Sequence, residues 1–541
     1  MYLILTGCML CSVNENTAKM TRKHKAKGLY AVSVAVFALL SRLSVILMQV
    51  IVGNLLPDHH ADAFHLDPVP NPSASDEIVH FLVDGFTKWD ASYFLHIAQH
   101  GYTKPQMFAF FPLYPSLVRV LTDFFVMPVQ NLFSLHMSLY SCVVLSAVTL
   151  NICFFCSAAI LLYYLGVRVL SSQKLAYKAA LLFCINPASV FMTAAYTESL
   201  FASLSFAGML ALECDRFLGS AILFALSGAA RSNGFISIGF LVYFAMRKIA
   251  DLLIDVKCQR QKSGPVLWQL TRCHVKYIVV IVSILPLTML IVIVLLPFIS
   301  FQVYTFMMIC TDERNIPSFL TINVPVSDHG ESWCYKNFPI PYSEIQSKHW
   351  NVGFLRYYEF KKFPNFLLAF PMVVLCADAI LKYCKKRWHY VCVLGLVETQ
   401  KVRLETRTIF GKSGLDVFGN KLFVHIVHLA ALLGFGVTCM HVQVVTRFIS
   451  SSCPIVFWYA AHLTTDENTE TSQPQRNQRD TTQNIPAFRG NISLFDISKN
   501  ELIVQYMKWR EQGLRTKLVL GYFAGYCLIG IVMHCNFLPW T

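Results

Sequence analysis

The sequence predicts an all-α polytopic membrane protein, and three observations carry that prediction. Of the 541 residues, 55% are hydrophobic and only 14% are charged, whereas soluble domains run to about a quarter charged. Mean hydropathy is +0.50. The apolar residues also come in blocks long enough to cross a bilayer, not at core-face spacing. Lys+Arg 45 against Asp+Glu 31 gives a net charge of +14. The positive residues cluster in a few loops between apolar blocks, with no nucleic-acid-binding motif around them, so the charge reports membrane topology and no nucleic-acid partner is expected. The 18 cysteines are mostly single and inside apolar blocks, as at Cys142, Cys153, Cys156, Cys184, Cys439 and Cys527. They read as small core hydrophobes, with no disulfide framework and no zinc spacing. Cys8 and Cys11 form a C-x-x-C pair that no strand-helix pattern and no second pair follows.

The first element is the apolar block Leu29 to Val52, preceded by Lys19, Arg22, Lys23, Lys25 and Lys27. It is too long for a cleavable signal and no small-residue cleavage site follows it, so it reads as a signal anchor with its basic flank in the cytosol. Met20 is a more natural start than Met1, and residues 1–19 are expected to be dispensable. Further blocks lie near 108–127, 137–165, 176–197, 199–214, 219–246, 277–308, 365–383, 421–446 and 516–538, which brings the count to about ten spans. Block 108–127, with two prolines, Arg119 and Asp123, is the weakest, and lying along the membrane remains open for it.

Charge balance predicts sidedness. Loops 247–276 (seven Lys/Arg against two acids) and 382–412 (eight against two) are expected in the cytosol, and 54–107 (two Lys against seven acids) on the other side. The same counting places 309–364 and 464–515 with the acidic loop. The second carries the sequon Asn491-Ile492-Ser493, usable only in a secretory lumen and thus a candidate glycosylation site. One tension is that Arg168, Lys174 and Lys178 then fall in a luminal loop. The expected units are a cytosolic segment 1–28, a transmembrane module 29–308 with the first luminal loop at 53–107, a second luminal loop 309–364, and a C-terminal membrane region 365–541 containing loop 464–515.

Polar residues inside the blocks are Arg42, Asn186-Pro187, Glu198, Arg231-Ser232-Asn233-Gly234 and His441. They are scattered, without the repeat of one half by the other that marks inverted-repeat transporters. Polar detail concentrates instead in the first luminal loop. Helical spacing from Ala91 to Gln99 puts Asp90, Tyr93, Phe94 and Ile97 on one face, with a carboxylate at the mouth of an apolar groove. A sugar on a polyprenyl phosphate presents its anomeric carbon at that level. One carboxylate suffices there as general base for inverting transfer, since the phosphate leaves as an anion. The plainer reading of Asp90 is a helix N-cap, and that of Trp89 an interfacial anchor. His96 and His100 have no partner at metal-ligand spacing, so no metal is expected.

Lys88-Trp89-Asp90-Ala91, Phe94-Leu95-His96-Ile97-Ala98-Gln99-His100-Gly101-Tyr102 and Phe108-Ala109-Phe110-Phe111-Pro112 resemble the first luminal loop of the GPI mannosyltransferase II family, the class V proteins of phosphatidylinositol-glycan synthesis. The resemblance continues through Arg231-Ser232-Asn233-Gly234, Trp350-Asn351-Val352-Gly353, Thr446-Arg447-Phe448 and His534-Cys535-Asn536-Phe537. It implies a multispanning GT-C-type glycosyltransferase of the endoplasmic reticulum membrane with a luminal active site. The implied reaction moves mannose from dolichyl-phosphate mannose, a lipid-linked co-substrate, to the first mannose of the GPI precursor through an α1,6 bond, with no cofactor. The family's Trp-Asp pair maps to Trp89 and Asp90 as catalytic centre. Arg447, and after it Arg356, are the candidates for the donor phosphate, and Tyr93, His100, Arg231 and Glu198 for further substrate contacts. Arg231 and Glu198 alternatively brace each other. The rival readings are a transporter or scramblase of lipid-linked glycans and a GT-C enzyme with another acceptor. An accessory membrane subunit remains open.

Overall fold

The computed structural model describes residues 17–540 apart from 62, 67–68, 171, 259–266, 312–330, 398–401, 403, 405–417 and 466–499, and among the described residues it contains helices and no strand. The principal helices are α1 (Thr17–Leu55), α2 (Ala74–Val83), α3 (Asp90–His100), α4 (Leu113–Leu121), α5 (Met127–Phe133), α6 (Leu139–Val169), α7 (Gln173–Cys184), α8 (Glu198–Glu213), α9 (Phe217–Ala230), α10 (Ile238–Cys258), α11 (Leu267–Cys310), α12 (Pro341–Trp350), α13 (Phe363–Lys386), α14 (Phe423–Cys439), α15 (Val445–Ser452), α16 (Pro454–Leu463), α17 (Glu501–Met507) and α18 (Leu514–Cys535). Six of them (α1, α6, α11, α13, α14 and α18) hold stretches long and apolar enough to cross a bilayer, and α15 with α16, bent by 88°, makes up to seven.

The expected count of about ten therefore resolves differently. Block 108–127 is not among the described helices apolar enough to cross: after a 3-10 turn (Pro105–Ala109), α4 runs through a π-turn (Thr122–Val126) directly into α5, and this run carries Arg119 and Asp123. It buries Tyr114 and Val118 while exposing Phe124 and Phe125. Block 176–197 is the short α7 followed by irregular chain, because Pro187 disfavours helix at Asn186. Block 219–246 splits into α9 and α10. Conversely, 445–463 was not read as a block, yet it forms the bent pair α15–α16, broken at Cys453 ahead of Pro454.

Ring contacts establish how the helices run. Tyr30, early in α1, lies 6.3 Å from Tyr163 and 4.9 Å from Tyr177, whereas Val45 and Phe86 share a cluster with Val143 and Val144. The helices α1 and α6 are thus antiparallel, and Arg168, Lys174 and Lys178 belong to the same end of the bundle as Lys27. The tension with the positive-inside trend disappears, because 108–127 does not cross and the parity shifts by one.

The same comparison corrects segment 464–515. The Thr464 carbonyl accepts hydrogen bonds from Lys178 Nζ at 2.7 Å and Gln505 Nε2 at 3.0 Å, so both flanks of residues 466–499 sit at the Lys27 end, away from the acidic loop. The uncounted crossing by α15–α16 is the cause. Asn491 itself lies outside the described residues, as do residues 1–16 of the basic N-terminal segment.

At the opposite end, the acidic loop and the described part of 309–364 pack together. Tyr102, Met107, Phe108 and Phe111 form one cluster with Phe301, Met308 and Ile345. A disulfide joins Cys310, at the end of α11, to Cys334. Cysteine spacing had not suggested it, because a lone cysteine ending an apolar block looks like any other small hydrophobe. Gly85 is required where the first loop meets the bundle, since a Cβ there would lie 2.7 Å from Gln49 Cγ and 2.8 Å from Cys535 Cβ.

Candidate active site

Asp90 is the first residue of α3. It is not the N-cap: that position is Trp89, held at φ 61° with no side-chain cap bond, a left-handed conformation costly for a bulky residue. The turn is pinned by Lys88, whose Nζ reaches Asp58 at 2.5 Å and Asp84 at 3.4 Å. The Asp90 carboxylate, released from capping, turns inward. Its Oδ2 accepts Arg447 Nη2 at 2.9 Å. Arg447 Nη1 lies 3.6 Å from Glu198 Oε1, which accepts Arg231 Nη1 at 2.7 Å.

Four elements thus contribute a chain of alternating charge. Asp90 comes from the first loop, Arg447 from α15 before the Cys453 break, Glu198 from the start of α8, and Arg231 from the residue after α9. The Glu198 side chain is 1% exposed and that of Arg447 12%. An isolated charge at such depth would cost several kcal/mol, so two acids and two guanidiniums balance one another. The brace between Arg231 and Glu198 is real, and it is part of the same network.

Segment 185–197 forms the wall behind this chain. Irregular backbone at membrane depth persists only where protein groups satisfy it. Asn151 Nδ2 donates to the Ala194 carbonyl, to the Tyr196 carbonyl at 3.0 Å and to Tyr114 Oη at 3.0 Å. So supported, Tyr196 Oη accepts the Asp90 N–H at 3.1 Å. The Tyr196 and Phe191 rings face the Arg447 guanidinium at 5.3 and 5.2 Å. His534 meets the same two rings, at 5.6 and 5.2 Å. Neither of its ring nitrogens has a hydrogen-bond partner among the described residues.

Trp89 packs on Phe537, with ring centroids 5.7 Å apart, and its buried indole N–H has no partner among the described residues. Tyr93 lies one turn beyond Asp90, stacked between Phe64 and Phe110 at 4.8 and 4.7 Å. Burial, and then the charge of Asp90, push its phenol above its usual pKa. Two expected substrate contacts are not brought to the site. His100 is exposed at the far end of α3, with its ring 5.0 Å from His96, because ten residues of helix carry it away from Asp90. Arg356 sits on the surface and donates to Ser347 Oγ at 2.7 Å.

Tyr196 and His534 were not singled out from the sequence, nor was Asn151. The available signals were polar residues inside apolar blocks, Asn151 and His534, the latter within the stretch His534-Cys535-Asn536-Phe537 that carries part of the family resemblance. Among the described residues no three His, Cys, Asp or Glu groups converge as metal ligands. Beside Arg447 lies a narrow cleft bordered by Phe191, Gln443, Thr446, Tyr526 and Trp540.

Helices apolar enough to cross a membrane, with a buried carboxylate–guanidinium chain at one end of the bundle, define a polytopic membrane protein with a charged site between its helices. The chain belongs to the mannosyltransferase (PIG-V) family, whose model matches residues 31–541, and is therefore a glycosyltransferase. It is 36% identical over 513 residues to the GPI alpha-1,6-mannosyltransferase 2 of Homo sapiens, covering 93% of this chain and 97% of that one. To the protein of that name from Mus musculus it is 37% identical over 520 residues, with the same coverage. The GPI mannosyltransferase 2 of Drosophila melanogaster is 32% identical over 449 residues, 79% of this chain and 90% of that one. No solved structure matches the chain.

Proposed function

We propose that this enzyme adds the second mannose of the GPI precursor in α1,6 linkage, taking it from dolichyl-phosphate mannose at the luminal face of the endoplasmic reticulum membrane. The observation that carries the reading is the Asp90–Arg447 pair at the bundle mouth, with Trp89 beside it. Asp90 takes the proton of the acceptor's 6-hydroxyl as that oxygen attacks the anomeric carbon from the face opposite the phosphate. The phosphate departs as an anion and needs no acid, and a forked guanidinium is suited to hold it. Trp89 offers a flat apolar surface for a sugar ring, whereas Tyr93, with its two faces covered by Phe64 and Phe110, supports the groove wall.

Two features support the luminal assignment of the Asp90 end. The basic flank of α1 lies at the opposite end, and the disulfide Cys310–Cys334 belongs to an oxidising compartment. On this reading the GT-C module is 29–308, and loop 309–364 and region 365–541 complete the site.

The test is complementation of cells lacking the second GPI mannosyltransferase. Expression should restore surface GPI-anchored proteins and clear the glycolipid bearing a single mannose. Persistence of that glycolipid with the protein properly inserted would end the proposal.

A further inference from the structure

Arg447 holds the base and also borders the narrow cleft. Besides Arg447 the cleft is lined by Leu368, Gln443, Thr446, Tyr526 and Trp540, among others, so it lies between α13, α15, α18 and the C-terminal residues. Its polar groups belong to one cation and several neutral side chains. Arg447 Nε is buried and has no hydrogen-bond partner among the described residues. A guanidinium binds oxyanions best along the edge formed by Nε and one Nη. Here that edge is half used: Nη2 is on Asp90 at 2.9 Å and Nε is on nothing described. The opposite nitrogen, Nη1, stays near Glu198, whose second oxygen also has no partner.

We propose that Asp90 is held latent by Arg447 and is set free as base only when the phosphodiester of the lipid-linked donor enters this cleft and takes the Nε–Nη2 edge. The enzyme then binds its substrates in compulsory order, donor before acceptor. This rests on the proposed reaction and adds to it a control step within the same site.

The charge balance gives the reason. At rest the two acids and two guanidiniums sum to zero. An arriving phosphodiester brings one negative charge and occupies the cation that neutralised Asp90. Glu198 and the faces of Phe191 and Tyr196 keep the guanidinium from leaving with it. The carboxylate is left without its guanidinium partner, and its oxygens are free to accept the acceptor's hydroxyl proton. In transfer, the acceptor O–H proton passes to Asp90 and the new C1–O6 bond forms. The C1–O(phosphate) bond breaks with its electron pair going to the phosphate, which remains on Arg447. An acceptor arriving first would meet a carboxylate already engaged and could not be aligned on it.

Initial-rate kinetics on the full-length, membrane-inserted enzyme decide this. The acceptor-side inhibitor is an acceptor glycolipid with a 6-deoxy terminal mannose; the donor-side inhibitor is a polyprenyl monophosphate. With donor binding first, the deoxy glycolipid is uncompetitive against donor, and the polyprenyl phosphate is competitive against donor and noncompetitive against acceptor. Noncompetitive inhibition by the deoxy glycolipid against donor overturns the proposal. If polyprenyl phosphate is instead uncompetitive against acceptor, a phosphodiester of the acceptor releases Asp90, and the assignment to the donor is wrong. Absence of any transfer from polyprenyl-phosphate mannose would refute the proposed reaction itself, which is a separate failure.

Arg447→Gln adds a second readout. It should abolish the ordering, turning uncompetitive inhibition noncompetitive, and raise the donor KM at least tenfold. Retention of the ordered pattern in that variant counts against the latch. The wild-type patterns decide the matter even if this variant fails to fold.

Discussion

Arg42 grips Ser189 at two atoms: its Nη1 donates to the Ser189 carbonyl at 2.7 Å and its Nη2 to the Ser189 hydroxyl at 2.5 Å. The same guanidinium reaches Thr193 Oγ1 at 2.9 Å and the Cys184 carbonyl at 3.1 Å, and lies 3.8 Å over the Phe155 ring. A fully buried arginine is thus spent on holding the irregular segment that carries Phe191 and Tyr196 behind the site.

Removing it should loosen that wall. Arg42→Met leaves buried acceptors at Cys184, Ser189 and Thr193 without donors, at about 1–3 kcal/mol for each one left unsatisfied. A large fall in thermal stability with strongly reduced transfer is expected in detergent-solubilised protein. Arg42→Lys keeps the charge but cannot serve four acceptors, and should fall between Arg42→Met and wild type. An unchanged melting temperature in Arg42→Met would refute the bracing role.

Asp90→Asn should abolish mannose transfer while leaving protein level near wild type. The carboxamide keeps the size and can still accept from Arg447, but it cannot take a proton. Asp90→Glu should retain little activity, because one more methylene displaces the base by about 1 Å. Surface GPI-anchored proteins restored by Asp90→Asn would remove Asp90 as base.

The flanks of 466–499 sit at the Lys27 end, with Thr464 bonded to Lys178. The sequon at Asn491 is therefore expected to stay unmodified, and glycosidase treatment should leave the protein's mobility unchanged. An acceptor sequon inserted next to Ser332, at the Asp90 end, should be used. A glycan on Asn491 would contradict this sidedness.

Asp76 gives a pH-dependent contribution to stability. It is 5% exposed and accepts hydrogen bonds from the backbone N–H and hydroxyl groups of Ser73 and Ser138, which ties α2 to the start of α6. Burial alone would raise its pKa, but hydrogen bonds from Ser141 and Ser138 outweigh that and hold it well below the carboxylate range. The folded value lies below the unfolded one. The stabilisation is therefore complete above about pH 4, the unfolded value, and declines as pH falls further. Asp76→Asn should lower the melting temperature at pH 7, and the difference from wild type should narrow at pH 3. A gap that widens at low pH would reverse the sign.

Much of the site was legible residue by residue. Asp90 was legible through helical spacing, which sets it on one face with Phe94 and Ile97, together with the resemblance of Lys88-Trp89-Asp90-Ala91, since residue type alone fits an N-cap as well; Glu198 and Arg231 were legible because charges in apolar blocks need partners. Tyr196 stayed hidden, since a tyrosine among apolar residues reads as core. The spans were misread where local breakers decide. Pro454 bends 445–463 out of any long hydropathic window, while the apolar stretch 108–127 folds onto the bundle surface.

Composition and local spacing alone determined that this is a membrane protein, which loops are basic, and that Trp89 and Asp90 lie in an acidic loop between apolar blocks. A bilayer selects on the polarity of each consecutive stretch, so those properties are written locally. Only the tertiary structure decided that the partner of Asp90 is Arg447, 357 residues away, that His100 and Arg356 lie outside the site, and that Thr464 returns to the Lys27 end. Such contacts depend on which helices pack and in which direction each runs. One added or missing crossing reverses every later side assignment, and no local pattern carries that count.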